Sequence, residues 1–159
     1  MINFELKNIP DIIFGRGTEK RCGELLKSFG GTKALIHHSG EPFVLPLIEK
    51  VKGYLAEAGM DYEELGGVVP NPHLSKVYEG IELCRSQKCD CILAVGGGSV
   101  IDSAKGIACG VPYDGDVWDM YRMVVTPAKV LTLGVISTFS GTGSECSCAS
   151  VVTNEKTKL

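Results

Sequence analysis

The 159-residue sequence predicts an α/β fold in which short buried strands alternate with longer helices. Two continuous apolar runs, KALIHH (33–38) and CDCILAV (89–95), are typical of strands that are covered on both faces of a parallel sheet. The segments that follow them are longer and carry apolar residues at helical spacing. Strands that alternate with helices of about 12–16 residues indicate βαβ units and a parallel sheet with flanking helices.

The same periodicities predict the remaining elements. Apolar runs or alternation predict strands at 2–5, 11–14, 33–38, 61–67, 89–95, 129–136 and 148–153. Helical spacing predicts helices at 18–29, 44–59, 73–88 and 99–110. We expect the first helix to begin at Thr18 as its N-cap and to end at Gly30-Gly31. The first two strands would form a short N-terminal hairpin.

Composition and charge exclude several classes of partner. Apolar residues make up 44% of the chain and charged residues 22%, and the formal charge is -3. With a pI near 5.6, we expect no nucleic acid and no acidic membrane surface as a main partner. The first residues, MINFELKNIP, lack the layout of a signal peptide. Seven cysteines, an odd number without the spacing of a disulfide scaffold, indicate reduced thiols and a cytoplasmic location.

Cysteine and histidine are the residues that could indicate a metal site. The two C-x-C pairs, Cys89/Cys91 and Cys146/Cys148, lie in apolar segments with the appearance of strands. There, the spacing of two would place a pair of small hydrophobic side chains on one face, so we do not expect these thiols to bind metal. His37 and His38 are neighbours in a predicted strand and would point to opposite faces. We therefore expect no metal site within this chain.

The strongest functional signal is CILAVGGGSVIDSAKGIA (91–108), in which a buried strand runs into three glycines and then into a helix. Glycines at that point let a phosphate approach the backbone, and the helix supplies unpaired N–H groups and a positive dipole end. The spacing matches neither G-x-G-x-x-G nor the Walker pattern. We therefore interpret the segment as a binding site for a nucleotide phosphate that belongs to neither of those two motifs.

Ser99 and Asp102 also have a structural interpretation, which does not exclude a role in binding. Their S-x-x-D spacing is that of a capping box, with Ser99 as the N-cap of the helix. A capped helix would still not explain three glycines at its entrance.

A second polar loop, Thr138–Glu145, follows the next predicted strand, and ligands in open α/β sheets bind beyond the carboxyl ends of strands. The two loops together predict one cleft.

These motifs resemble a known family. GGGSVIDSAK (96–105), preceded by Pro70-Asn71-Pro72 and followed by FSGTGSE (139–145), resembles the N-terminal domain of iron-containing (group III) alcohol dehydrogenases. FELKNIPDIIFGRG and the 116–119 segment are similar to theirs as well. The resemblance is greatest to the butanol dehydrogenase and broad aldehyde reductase branch. It covers nearly the whole chain and implies a single Rossmann-like nucleotide-binding domain over residues 1–159.

The resemblance also implies the residues that bind the cofactor. Gly97, Gly98 and Ser99 would hold the pyrophosphate, and Asn71 and Asp102 would line the cleft. Thr138 and Thr142 would contact the nicotinamide end, and Lys158 would reach the nicotinamide ribose. Ser39 and Gly40 would lie at the adenine ribose. Phe139 stands where some relatives have a second threonine, as in the aldehyde reductase branch.

The family's catalytic metal, iron or zinc, is implied to be held by one aspartate and three histidines in a following helical domain. The sequence ends at residues 154–159 without a closing element, so we expect a chain truncated before that domain. Such a chain would supply no catalytic residue and no metal, and alone it would be inactive. Because the missing half would cover the cofactor cleft, we expect self-association or marginal stability, and a homo-oligomer for the whole enzyme.

The choice between NADPH and NADH depends on the end of the strand at 33–38. Ser39 and Gly40 stand where the family's NADH users tend to have an aspartate, which favours NADPH. Glu41 and the absence of a lysine nearby in the sequence favour NADH. The balance leans slightly to NADPH.

Three functions remain open at this point. The first is an alcohol dehydrogenase that passes a hydride between a nicotinamide cofactor and a small alcohol or aldehyde. The second is a stand-alone, non-catalytic nucleotide-binding module. The third is a relative with the same N-terminal fold, such as a glycerol dehydrogenase or a dehydroquinate synthase. The GTGSE and PNP segments favour the first.

Overall fold

Four parallel strands form the centre of the structure, a computed structural model that describes residues 10–158. The strands are β1 (Lys33–His38), β2 (Asp61–Leu65), β3 (Cys91–Gly96) and β4 (Thr132–Ser137). Their order in the sheet is β2-β1-β3-β4, and every neighbouring pair is parallel. The predicted α/β architecture with a Rossmann-like parallel sheet is therefore confirmed.

Helices connect the strands and cover both faces of the sheet. They are α1 (Cys22–Ser28), α2 (Leu45–Glu57), α3 (Leu74–Gln87), α4 (Gly98–Gly110) and the short α5 (Trp118–Tyr121). Two 3-10 turns, Thr18–Arg21 and Ser144–Cys146, complete the elements of the described part. None of the helices within residues 10–158 combines the length and the apolar character needed to cross a bilayer.

Alternation along the strands divides the apolar core into two layers. Leu35 and Ile92 belong to the layer beneath α3 and α4, whereas Ile36 and Leu93 belong to the layer beneath α1 and α2. All of these side chains are buried, as expected for strands covered on both faces. The core therefore holds the strand ends, and the loops that follow them, in fixed relative positions.

Three predictions of local structure are wrong. Residues 11–14 form no strand: Ile12 and Phe14 are exposed and pair with nothing in the described part, and the partner strand predicted at 2–5 lies outside it. Residues 148–153 are irregular apart from one isolated bridge between Thr153 and His73, because their polar groups bond to helix α4 instead of a strand. Thr18 does not cap a helix, since its hydroxyl donates to the Gly15 carbonyl.

The cysteine pairs also differ from expectation. Cys89 precedes β3 and packs in the layer of α3 and α4, whereas Cys91 packs in the opposite layer, so the two do not share a face. Cys146 and Cys148 are exposed and lie outside any strand. Within residues 10–158, no three His, Cys, Asp or Glu side chains are grouped closely enough to hold a metal ion.

Candidate functional site

The register of the sheet brings the predicted loops to one edge. His38 is opposite Val95, Gly96 is opposite Ser137, and His37 is opposite Leu65. The residues that follow these positions therefore leave the sheet side by side, at the carboxyl ends of its strands. This is the edge at which open α/β sheets bind their ligands.

Helix α4 begins at this edge without a side-chain cap. Gly97 is its N-cap residue, Gly98 its first residue and Ser99 its second. Ser99 therefore lies inside the helix, and the predicted capping box is wrong. The amides of Gly98 and Ser99 have no intrahelical acceptor, and within residues 10–158 they have no other hydrogen-bond acceptor. These two N–H groups are available to an anion.

Asp102 bonds to a distant loop instead of to its own helix. One carboxylate oxygen accepts a short hydrogen bond from the hydroxyl of Ser144, and the other accepts from the amide of Val151 at 3.1 Å. The backbone carbonyl of Asp102 accepts from the hydroxyl of Ser150 at 2.8 Å. Because these partners are 42 to 49 residues away, the S-x-x-D spacing could not indicate them.

Lys105, one turn further along α4, binds the same loop. Its ammonium group donates to the carbonyl of Ser144 at 2.7 Å, to the hydroxyl of Ser144 at 2.9 Å and to the carbonyl of Ala149 at 2.6 Å. Burial lowers the pKa of Lys105, and the nearby Asp102 carboxylate opposes that shift. We call Asp102, Lys105 and Ser144 the anchor triad, because together they hold the 138–151 loop against α4.

The anchored loop covers the glycines at the start of α4. A Cβ atom on Gly98 would lie 2.7 Å from the side chain of Thr142, and one on Gly97 would lie 3.4 Å from Phe139. The amide of Thr138 donates to the carbonyl of Gly96 at 3.0 Å. Gly98 is therefore required for the close approach of the loop to α4, whereas a Cβ atom on Gly97 would make only an ordinary van der Waals contact with Phe139.

A second group of residues forms the turn after β1. The amide of Gly67 donates to the carbonyl of Ser39 at 3.1 Å, and Gly40 adopts a left-handed conformation with a φ of 79°. Nδ1 of His38 accepts from the amide of Gly40 at 3.0 Å, so its Nε2 donates to the carboxylate of Glu64 at 2.9 Å. These bonds fix the turn that contains Ser39 and Gly40.

His37 is buried beneath the same edge. Its Nδ1 lies 3.0 Å from the carbonyl of Leu65, to which it must donate, and its Nε2 accepts from the hydroxyl of Ser103 at 2.9 Å. Burial lowers the pKa of His37 to about 4. The neutral imidazole therefore links β1, β2 and α4, and it points away from its neighbour His38.

Two residues of the implied cofactor set lie further from the strand ends. Asn71 is exposed and adopts a left-handed conformation with a φ of 55°, in the turn between β2 and α3. Lys158 is exposed, and its amide donates to the carbonyl of Asn154 at 2.8 Å. Within residues 10–158, no hydrogen bond joins either of them to the loops after β3 and β4. The structure thus groups Gly97, Gly98, Thr138 and Thr142, places Ser39 and Gly40 beside them, and gives Asp102 an anchoring contact.

The donor set of this edge suits a nucleotide. It offers two free amides at a helix N-terminus, close-packed glycines and the hydroxyl-bearing loop of Thr138 and Thr142, which together match a pyrophosphate with attached sugars. It does not suit iron or zinc, because the described residues contain no group of His, Cys, Asp or Glu ligands. Lys105 and Ser144 were not identified from the sequence, although the S-x-x-D-x-x-K spacing places Lys105 one turn after Asp102.

Comparison with known proteins agrees with this geometry. Residues 10–159 match the family model described as iron-containing alcohol dehydrogenase. The chain belongs to this family, as the sequence motifs predicted.

Individual relatives point to one branch of the family. The chain is 43% identical over 158 residues to the "Probable NADH-dependent butanol dehydrogenase 1" of Bacillus subtilis, covering 99% of this chain and 41% of that protein. It is 36% identical to the "NADPH-dependent butanol dehydrogenase" of Clostridium saccharobutylicum, covering 100% and 40%. Among solved structures, the NADH-dependent butanol dehydrogenase A of Thermotoga maritima superposes with a TM-score of 0.91 at 40% identity, covering 98% of this chain and 39% of that one. The chain thus spans about two fifths of the length of these relatives.

Proposed function

We propose that this chain binds a nicotinamide dinucleotide and serves an enzyme that interconverts small alcohols and aldehydes by hydride transfer. The observation that carries the proposal is the uncapped N-terminus of α4, whose Gly98 and Ser99 amides have no hydrogen-bond acceptor within residues 10–158 and which the 138–151 loop contacts at Gly98. Membership of the iron-containing alcohol dehydrogenases and the similarity to butanol dehydrogenases support the reaction class.

Each part of the edge would take one part of the dinucleotide. Gly97, Gly98 and Ser99 hold the pyrophosphate, because free amides and the positive end of the helix dipole favour anions. Ser39 and Gly40 lie one strand away and take the adenine ribose. Asn71 lines the cleft from the turn between β2 and α3.

The opposite end of the cleft is assigned to the nicotinamide. Thr138 and Thr142 follow β4 and contact that ring, and Lys158 reaches its ribose. In this arrangement Asp102 shapes the cleft indirectly, by anchoring the loop. Both of its carboxylate oxygens already accept hydrogen bonds from that loop.

In this proposal, the described residues bind and orient the cofactor. When bound, the dinucleotide supplies or accepts the hydride at its nicotinamide ring. The anchor triad holds the loop that carries Thr138 and Thr142 against α4. The iron or zinc of the family would be held by residues other than those described, since no ligand set occurs within 10–158. The proposal places the protein in the cytoplasm, in agreement with seven cysteines that are all free thiols.

Within this proposal, NADPH is accepted as well as NADH. Neither Ser39 nor Gly40 has a carboxylate that would repel a 2′-phosphate. Relatives of both preferences occur, since two butanol dehydrogenases similar to this chain are named as NADH-dependent and NADPH-dependent, respectively.

A fluorescence titration tests the binding proposal. Trp118 is the single tryptophan of the chain, so energy transfer from it to a reduced nicotinamide reports binding. We expect saturable quenching by NADH and NADPH, reversed by ADP-ribose and unaffected by adenosine, which lacks the pyrophosphate. The proposal fails if a folded chain, verified by circular dichroism, shows no saturable binding of either dinucleotide.

A further inference from the structure

The turn that would select between NADH and NADPH lacks a cation of its own. Ser39 and Gly40 carry no charge, and the next residue, Glu41, is exposed and acidic. A 2′-phosphate brings negative charge to this turn and is stabilised where a lysine or arginine donates to it. A cation must therefore come from another element.

Lys76 lies at the same edge of the sheet, in the first turn of α3. Its ammonium group lies next to Gly67, a residue that follows β2. A Cβ atom on Gly67 would lie 3.5 Å from the ammonium nitrogen of Lys76. Gly67 in turn contacts the selecting turn, because its amide donates to the carbonyl of Ser39 at 3.1 Å.

Gly67 allows this approach because it has no side chain. Its φ of 90° is left-handed, and its amide lies 3.2 Å from the point that a Cβ atom on Gly40 would occupy. The two glycines therefore pack backbone to backbone, and the ammonium group of Lys76 lies beside them. Although Lys76 is 37 positions beyond Ser39 in the sequence, the fold makes it a neighbour of the turn.

The present partner of Lys76 is one that a phosphate can displace. Its ammonium group lies 2.7 Å from the carboxylate of Glu79, one turn further along α3. Glu79 is 55% exposed, and pairs of this kind on a helix surface contribute little to stability. The Lys76 side chain is itself 22% exposed, so it reaches solvent at this edge. Its charge is therefore available to a ligand at a small cost.

We propose that Lys76 is the residue that recognises the 2′-phosphate of NADPH, compensating for the uncharged Ser39-Gly40 turn and for Glu41. This inference rests on the proposed dinucleotide site and adds a specificity-determining residue to it. Lys76 donates to the phosphate from α3, while the backbone of the turn takes the ribose. NADH lacks the phosphate and gains nothing from Lys76.

Equilibrium titration with both dinucleotides tests the proposal. In Lys76→Gln we expect the Kd of NADPH to rise about tenfold, as loss of one charge-assisted hydrogen bond implies, and that of NADH to change less than about twofold. Lys88→Gln is the matched control, since it removes the same charge at the other end of α3, about 18 Å away at 1.5 Å per residue, and should change neither Kd. Displacement by 2′,5′-ADP should weaken in Lys76→Gln, whereas displacement by ADP should not.

The outcomes separate this inference from the function on which it rests. If the unaltered chain binds neither dinucleotide, the proposed function fails, and the role of Lys76 fails with it. If both bind and Lys76→Gln leaves the ratio of the two Kd values unchanged, only the Lys76 assignment is overturned. Equal weakening of both would also overturn it, because that result indicates a general effect on the fold or on long-range charge.

Discussion

The ammonium group of Lys105 lies 2.9 Å from the hydroxyl of Ser144, although 39 residues separate them in the chain. That hydroxyl in turn donates to Asp102, so one serine connects a cation and an anion that both belong to α4. The 138–151 loop has little regular structure of its own, apart from the 3-10 turn at Ser144–Cys146. Its shape therefore depends on this contact, and so would the dinucleotide site that we propose.

Replacing Lys105 should loosen the loop. Lys105→Met keeps the length and apolar character of the side chain but leaves the Ser144 and Ala149 carbonyls without their donor. We expect the free energy of unfolding to fall by about 1–3 kcal/mol and the Kd of NADH to rise several-fold. Urea unfolding and the fluorescence titration measure the two effects. Lys129→Met is the control, because Lys129 is exposed and its side chain makes no hydrogen bond in the described part; it should leave the free energy of unfolding and the Kd unchanged. Equal behaviour of the two variants would contradict an anchoring role for Lys105.

Adding a methyl group at Gly98 should damage the site. The new Cβ atom would lie 2.7 Å from Thr142, so the loop must move away from α4. We expect Gly98→Ala to raise the Kd of either dinucleotide at least about tenfold. Gly53→Ala is the control, because Gly53 is an exposed position of α2 with nothing within 4 Å of its Cβ position, and it should increase stability by about 0.5–1 kcal/mol. Unimpaired binding by Gly98→Ala would refute the close approach.

The buried His37 should make stability depend on pH. Its pKa is about 4 in the folded chain and 6.5 when exposed, so the unfolded chain binds more protons between these values. The free energy of unfolding should therefore fall as the pH is lowered from about 7 to 4, by up to about 3 kcal/mol. Urea unfolding at several pH values measures this slope. His37→Gln should flatten it and the exposed His73→Gln should not; a slope unchanged in His37→Gln would assign the effect to other groups.

The contact between α3 and α4 at Gly80 should show energetic coupling. A Cβ atom on Gly80 would lie 2.3 Å from Cδ1 of Ile107, so Gly80→Ala overfills the layer and should cost about 1–3 kcal/mol. Ile107→Val removes Cδ1 and should relieve part of that cost. A double-mutant cycle by urea unfolding should give a coupling energy of about 1 kcal/mol, whereas strictly additive effects would show that the two positions do not meet.

Exposed apolar side chains between residues 123 and 151 should promote self-association. Met123, Val124, Val130, Phe139 and Val151 are each at least 60% exposed. We expect the mean mass from light scattering to rise with protein concentration, and Val124→Ser with Val130→Ser to reduce that rise. A monodisperse monomer at high concentration would contradict the expectation.

Elements with a strong local pattern were predictable from the sequence. Strand β1 agrees with the predicted 33–38, and helices α2 and α3 agree within about two residues at each end, because apolar periodicity reports burial directly. The triple glycine and the 138–145 loop were recognised for a related reason, since each follows a predicted strand, although β3 is buried and β4 only partly so. Their meeting at one edge follows from the parallel sheet.

Contacts between distant segments could not be read from the sequence. Ser99 and Asp102 have the spacing of a capping box, but the carboxylate of Asp102 accepts hydrogen bonds from Ser144 and Val151 instead. The same competition explains why residues 148–153 are not a strand, since Ser150 and Val151 bond to α4 and not to a neighbouring strand. The position of Lys76 beside the Ser39 turn depends on the backbone of Gly67, for which the sequence offers no signal.

Strand β4 has consequences for motion as well as for binding. Among the described strands it has a single neighbour, β3, whereas β1 lies between two. Amide hydrogens of 132–137 should therefore exchange with solvent sooner than those of β1, in an opening that carries the 138–151 loop with it. Such an opening would dismantle the proposed nicotinamide end of the site and leave the proposed adenine-ribose end intact. If the proposed site is correct, a dinucleotide would then remain tethered by its adenosine half while the other half is released, and release would take place in two steps.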